Sequence, residues 1–380
     1  MKRQILALAF IALGVFLLPS ASFAQTAEEE YYRHGYSAEE EEDYEIIHKH
    51  PTLLEDVESI VLCDYAFRDE DDGTATKMLM QKERFVFNTQ GDVVTAEYYD
   101  EDGSLSRKIH YQYNAARQET RRTTYNADGE LTGKTIQQYD AAGDMIERAD
   151  YNADRSLNDK TTYKYDSKGN KIEMTDYNSN GSLDDKTYYK YDSAGNMIED
   201  ARYFSDGSLD YRELYKYDSK GNMIEWVGCG FDGAPYYKNL WKYDSAGNMI
   251  ERADYDADGS LECKWLGKYN SAGNMIEEAD YNADGRLSSG KTLYKYDPAG
   301  NMIEKAWYDS DGSLVHKTLY KYNSAGKIIE STLYRFDRKV NSFKTLYKYD
   351  ARGNIIEKTL YEGERMEPTD LTEYEIIYRD

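Results

Sequence analysis

The sequence predicts an all-β protein: an antiparallel ribbon of hairpin repeats coiled into a solenoid or open spiral barrel, with short caps at its ends. Three observations predict it. Glycines recur every 26 residues, at Gly143, Gly169, Gly195, Gly221, Gly247 and Gly273. A second series, including Gly181, Gly207, Gly233, Gly259 and Gly285, falls between them at the same period. The runs joining the two series alternate in polarity and are rich in Tyr, Thr and Ile, which is the pattern of strands. A turn cluster about every 13 positions leaves no room for helices. A β-sandwich is the competing architecture. Even repetition favours the solenoid, in which each unit buries its faces on its neighbours.

Composition narrows the function. Acidic residues outnumber basic ones 71 to 47, for a net charge of -24, so a nucleic-acid partner is not expected. The 39 tyrosines are too many for a disordered chain.

Taken in order, residues 1–24 read as a signal peptide. Lys2 and Arg3 precede an apolar run from Ile5 to Leu18, and Ser22-Phe23-Ala24 offers a cleavage site before Gln25. The expected location is therefore outside the cytoplasm of a bacterium: periplasm, cell surface or medium. No membrane span is expected after cleavage. Cys63, Cys229 and Cys263 are an odd set without a CxxC pair, so neither a redox motif nor a thiolate zinc site is supported. At least one free thiol is expected, and a disulfide between two of them stays open.

Residues 25–82 lack the repeat and read as an acidic N-terminal cap region. Glu28-Glu29-Glu30 and Glu39 to Asp43 are acidic blocks, which belong to solvated surface. Pro51 opens a candidate short helix. Tyr65-Ala66-Phe67 and Lys77 to Phe87 read as strands leading into the array.

Residues 83–362 carry the 26-residue β-repeats. In one copy, Thr292 to Tyr296 alternates and Asp297-Pro298-Ala299-Gly300 breaks the run, the signature of a three-residue loop with a glycine bulge. Asn301 to Tyr308 returns, and Asp309-Ser310-Asp311-Gly312 turns again. That loop pairs Asp297 with Asn301 and sets Tyr296 against Met302, Tyr294 against Glu304, Tyr308 against Leu314 and Ala306 against His316. One face then collects Tyr294, Tyr296, Met302, Ala306, Tyr308, Leu314, Tyr320 and Tyr322. The other holds Leu293, Lys295, Ile303, Lys305, Trp307, Val315 and Lys317. Four-residue loops would move Ile303 to the tyrosine face. The tyrosine face is expected to line an interior. Residues 363–380 read as a C-terminal cap strand, with Tyr374 to Tyr378 closing the array.

Candidate sites are few. Asp256 and Asp258, with Asp309 and Asp311, form DxDG turns that resemble fragments of a calcium loop. The twelfth-position Glu of such a loop is missing, so hairpin-turn chemistry is the plainer account and weak calcium binding the sharper one. No resident cofactor is expected. The repeat breaks at Trp226 to Gly233, with Trp241 and Trp265 on later copies. Drift explains such a break. A binding surface of Trp226, Phe231, Trp241 and Trp265 explains it as well. No catalytic motif is present.

The run Tyr-x-Tyr-Asp-x-x-Gly-Asn resembles the YD repeats of the bacterial RHS family. Tyr163-Lys164-Tyr165-Asp166 with Gly169, Tyr189-Lys190-Tyr191-Asp192 with Gly195, and Tyr294-Lys295-Tyr296-Asp297 with Gly300 carry the likeness. The YxxDG half is similar, less closely, to MORN-type hairpin repeats. The RHS resemblance implies a β-ribbon spiralling into a shell. Some larger members enclose a C-terminal toxin, but only 19 residues follow Tyr361 here. The function expected is an exported, non-enzymatic repeat scaffold that binds a protein or glycan partner. The alternatives are a calcium-stabilised adhesin and a carboxylate-dependent glycan hydrolase.

Overall fold

The computed structural model describes residues 56–69, 75–336, 342–363 and 367–379. The expected signal peptide, the acidic blocks before Asp56 and the candidate helix at Pro51 lie outside the described residues. Every regular element described is a strand. The first six are β1 (Val57–Asp69), β2 (Ala75–Phe87), β3 (Val93–Tyr99), β4 (Leu105–Tyr113), β5 (Glu119–Asn126) and β6 (Leu131–Tyr139). β7 (Met145–Asn152), β8 (Leu157–Tyr165), β9 (Lys171–Tyr177), β10 (Leu183–Tyr191), β11 (Met197–Phe204) and β12 (Leu209–Tyr217) follow. Next come β13 (Met223–Cys229), β14 (Pro235–Tyr243), β15 (Met249–Asp256), β16 (Leu261–Tyr269), β17 (Met275–Asn282) and β18 (Leu287–Tyr296). The last are β19 (Met302–Tyr308), β20 (Leu314–Tyr322), β21 (Ile328–Arg335), β22 (Ser342–Tyr349), β23 (Ile355–Glu362) and β24 (Glu367–Tyr378).

Each strand pairs antiparallel with the next, and β1 pairs with β24 from Val57↔Tyr378 to Ala66↔Asp370. The ribbon is thus a closed 24-stranded barrel, which corrects the expected open spiral or solenoid. The physical reason is the edges. The segments expected to cap the ends supply β1, β2 and β24, and the two edges satisfy each other's backbone groups. At the usual strand separation, 24 strands give a diameter of roughly 37 Å before any tilt. The wall is one strand thick: the largest fully buried side chains are only Val57, Thr187 and Ser59. An apolar cluster of Val57, Ile60 and Phe87, with Phe85, Val93, Ile376 and Tyr378 against it, sits at the closing seam.

The turns are the predicted ones. Asp297 N–H donates to Asn301 O at 2.9 Å and Gly300 N–H to Asp297 O at 3.0 Å, with Gly300 at φ +90°. First-series turns form one rim, where β1 starts and β24 ends, and second-series turns form the opposite rim. Arg117 and Arg155 fill two glycine slots and adopt φ of 65° and 69°. Arg155→Gly is expected to raise stability by about 0.5–1 kcal/mol, because a left-handed conformation costs a side chain more than glycine's lost entropy. A lower denaturation midpoint would contradict this.

The register differs from expectation in one respect. Tyr296 faces Met302, but Lys295 faces Glu304 and Tyr294 faces Lys305, with Ile303 the extra residue of a bulge. Across the next turn Tyr308 faces Leu314, Trp307 faces His316, and Val315 is extra. A bulge shifts the alternation by one. One face therefore holds Tyr294, Tyr296, Met302, Lys305, Trp307 and His316. The other holds Leu293, Lys295, Glu304, Ala306, Tyr308 and Leu314. The single tyrosine face is corrected: in a copy with all three tyrosines, two lie on one side and the third on the other.

Burial identifies the concave side. On the Tyr294 face it pushes the phenols of Tyr111, Tyr139, Tyr165 and Tyr191 up to about 12. On the other face Lys164, Lys190, Lys216 and Lys242 have side chains about two-thirds exposed. In a one-layer wall the solvent-poor face is the lumen.

The tyrosine that ends the strand before each first-series turn has a fixed task. Ten hydroxyls donate to a main-chain carbonyl at the start of the preceding strand, at 2.6–2.9 Å, as Tyr165 does to Met145 O and Tyr191 to Lys171 O. Those carbonyls belong to residues where the ladder is interrupted by the bulge, so the phenol replaces a lost partner. The raised phenol pKa has a consequence for stability. A tyrosine whose folded pKa exceeds its unfolded value of about 10 stabilises the fold fully below pH 10. That contribution is lost as the pH climbs from about 10 through about 12. Denaturation midpoints should therefore hold up to pH 10 and fall beyond it, in step with phenolate absorbance. A midpoint constant to pH 12 would contradict this.

Outside, eight Lys–Glu pairs nine or so residues apart girdle the barrel at 2.6–2.9 Å, from Lys164–Glu173 to Lys348–Glu357. Exposed pairs of this kind contribute little stability each. Their use is to cover the outer wall with charge. The outward tyrosines join in: the Lys134 ammonium lies 4.4 Å from the Tyr151 ring centre and that of Lys160 4.7 Å from Tyr177.

Candidate functional site

The lumen changes character between β12 and β17. Trp226 lies opposite Tyr215 on β12 and Asn239 on β14. Trp241 lies opposite Arg252, and Trp265 lies opposite the same Arg252 from the other side. Register alone therefore puts Trp226, Trp241 and Trp265 on the inner face within four successive strands. Phe231 does not join them. It sits in the β13–β14 turn on the rim, 79% exposed.

The rings are held by one another and by carboxylates. Trp226 stacks with Tyr215 at 6.3 Å between centroids and meets Tyr237 edge-on at 4.9 Å. The hydroxyls of Tyr215 and Tyr237 both donate to Glu213, at 2.7 and 2.8 Å. Burial and that carboxylate push the Tyr237 phenol far up, so it stays a donor. Trp265 Nε1 donates to Glu278 at 3.3 Å. Asn239 and Cys263 donate to the two oxygens of Asp254, at 2.5 and 3.2 Å, and Arg252 pairs with it at 3.2 Å. Among the described residues the Trp226 Nε1 hydrogen has no acceptor.

Two glycines make this arrangement possible. A Cβ on Gly228 would lie 2.3 Å from Tyr237 Cε1, and one on Gly267 would lie 2.4 Å from the Trp265 ring. The Tyr237 and Trp265 rings lie flat over bare backbone. The break in the repeat is thus a packing device. The sequence singled out the three tryptophans that share this face, but not Tyr215, Tyr237, Glu213 and Arg252 beside them. The signal was available: Gly228 and Gly267 stand where neighbouring copies carry side chains toward the lumen.

Burial, then the Asp254 carboxylate, push the Cys263 thiol up to about 11. It is protonated at neutral pH and a poor nucleophile. Cys63, Cys229 and Cys263 are all free thiols.

The DxDG turns are occupied by their own backbone. Asp256 Oδ1 accepts from Asp258 N–H and Ser260 N–H, and its Oδ2 from Ser260 Oγ, at 2.9–3.2 Å. Asp258 accepts from Ser260 N–H at 2.8 Å. Asp309 accepts from Asp311 N–H at 3.0 Å and Ser313 N–H at 2.8 Å. Among the described residues no three His, Cys, Asp or Glu side chains gather as a metal set. Two shallow hollows, about 450 and 720 Å³, lie between neighbouring first-series turns around Ile276, Ile303 and Ile329, away from the tryptophans.

No protein-family profile matches the chain, and no curated protein matches it. Among solved structures it is similar to the crystal structure of TcdB2-TccC3, at 13% identity and a TM-score of 0.32, over 78% of this chain and 20% of that one. The Tc holotoxin pore of Photorhabdus luminescens is similar at 12% identity and a TM-score of 0.31, over 76% and 19%. A porin-like protein from Bacteroides uniformis is similar at 11% identity and a TM-score of 0.25, over 84% and 97%. The chain spans about a fifth of the length of the Tc proteins it matches. At these scores no role passes from any of them to this chain.

Proposed function

We propose that the protein is an exported barrel that serves as a binding scaffold, holding a glycan segment against the tryptophan band of its lumen. One observation carries the reading: three of the four tryptophans share the inner face of four successive strands, interleaved with Glu213, Arg252, Asp254 and Glu278. Flat rings with neighbouring carboxylates suit sugars, whose C–H faces stack on aromatics while their hydroxyls donate to acids. A net charge of -24 disfavours polyanionic sugars and favours neutral ones. The charged girdle supports a soluble barrel over a membrane-embedded one. A lipid-facing wall needs a continuous apolar band, and here the Lys–Glu pairs beside one rim are joined further along the strands by Lys160–Glu147, Lys238–Glu225 and Lys264–Glu251.

The test is a glycan array followed by calorimetry on the best neutral oligosaccharide. Trp241→Ala is expected to weaken binding at least ten-fold, while Phe231→Ala on the rim leaves it unchanged. An array without hits, or equal affinity for Trp241→Ala and wild type, would sink the proposal.

A further inference from the structure

The fourth tryptophan also faces the lumen, in a sector of opposite charge. Trp307 and Lys305 share the inner face of β19, two residues and about 7 Å apart along the strand. Trp307 lies opposite Thr292 on β18 and His316 on β20, and Lys305 opposite Tyr294 and Thr318. The Trp307 and His316 rings stack at 5.3 Å between centroids and 18° between planes, which fixes the indole.

Other copies show what these rings replace. Two residues after an inward arginine comes an acid that neutralises it: Arg148 pairs with Asp150 at 3.0 Å and Arg252 with Asp254 at 3.2 Å. Trp307 stands in that acid's slot. The position opposite is Asp159 or Asp185 in two earlier copies and His316 here. Both acids are gone and the cation has stayed. From β18 to β22 the register puts no Asp or Glu on the inner face among the described residues. Glu278, on the inner face of β17, already accepts from the Tyr294 hydroxyl and from Trp265 Nε1. Arg335, opposite His316 with its guanidinium 5.2 Å over the Phe343 ring, adds positive charge.

The two donors on β19 are unspent. Among the described residues the Lys305 ammonium makes no ion pair, hydrogen bond or contact with a ring face, and Trp307 Nε1 makes no hydrogen bond. Neither atom is closed off from solvent, unlike Trp226 Nε1. Two accessible N–H donors on one wall, one of them charged, suit an oxyanion. In a chain of net charge -24 a carboxylate is penalised less than a phosphate dianion.

We propose that Lys305 and Trp307 bind the carboxylate of a uronic acid residue on the lumen wall, the ammonium and the indole N–H donating to its two oxygens. That the carboxylate rides on a sugar rests on the glycan reading above; the anion site itself does not.

The test is calorimetry on the full-length protein with para-nitrophenyl glucuronide and the matching glucoside, which differs only in a hydroxymethyl group for the carboxylate. Wild type is expected to bind the glucuronide at least ten-fold more tightly, and Lys305→Gln to erase that preference. Trp307→Phe keeps a ring but loses the donor, so several-fold weaker glucuronide binding is expected. Lys317→Gln, on the outer wall, should leave it unchanged. No glucuronide binding, equal affinity for the two sugars, or a preference that survives Lys305→Gln overturns the proposal. Trp241→Ala separates the two readings. Glucuronide binding that persists there supports a site apart from the tryptophan band, and its loss would place the carboxylate in the band and overturn this one. Should neutral oligosaccharides fail to bind while the Lys305-dependent preference holds, the anion site stands and the glycan reading falls.

Discussion

Truncation after Gly363, which removes β24, is expected to turn a closed ring into an aggregating ribbon. The deletion frees the edges of β1 and β23 together, nine register pairs on one side and six on the other. Each ladder hydrogen bond contributes about 1 kcal/mol net, so the loss is comparable to the whole stability of an ordinary domain. The seam loses more than its ladder. Ile376 and Tyr378 leave the Val57–Ile60–Phe87 cluster, and Arg379 gives up its bond to Phe87 O at 2.6 Å. Two long unpaired edges on one molecule are a template for end-to-end association. Size-exclusion chromatography with light scattering checks this. An unchanged elution volume and denaturation midpoint would show that closure is not what holds the ring. The subtler Ile60→Ala should cost about 2–4 kcal/mol by leaving a cavity at the same seam. Closure also predicts a permutant. Val57 and Tyr378 are paired neighbours, so joining the ends and opening the distal turn at Asp206–Gly207 should leave a folded barrel. An open spiral would not tolerate that exchange.

The repeat was legible because its signals are local. Asp297 and Gly300 specify their turn through an Asx side chain and a positive φ, and each of the two can be read without knowing anything distant. Closure was not legible. It depends on β1 and β24 meeting across more than 300 residues, and neither strand carries the repeat. The tyrosine faces were misread for a smaller reason. Loop length fixed the first pair, Tyr296 with Met302, but nothing in Met302-Ile303-Glu304 announces a bulge, and one extra residue inverts everything after it. With tyrosines on both faces, the tyrosine pattern by itself marks no one surface for binding. The weight falls on the tryptophans, whose common face follows from the observed register. The second tyrosine of YxY was visible as a constant, yet its cause, a carbonyl released by the bulge, exists only in three dimensions.

Gly228→Ala is expected to cost about 2–3 kcal/mol and to abolish the glycan binding proposed above, although it adds a single methyl group. The new Cβ would lie 2.3 Å from Cε1 and 2.5 Å from Cζ of Tyr237, so something must move. The ring cannot slide away freely. Its hydroxyl is held by Glu213 at 2.8 Å and its face is met by the edge contact with Trp226 at 4.9 Å. Overpacking of this kind typically costs about 1–3 kcal/mol, and a broken hydrogen bond to a buried carboxylate adds to it. Displacing Tyr237 also releases Tyr215 and Trp226, which share the same acid and the same stack. A double-mutant cycle isolates the effect. In a Tyr237→Ala background the clash partner is gone, so Gly228→Ala should cost less than about 0.5 kcal/mol and the coupling should exceed about 1 kcal/mol. Equal costs in both backgrounds would mean that the glycine serves the backbone rather than the ring. The tryptophan band would then owe its form to something other than the two bare positions beneath it.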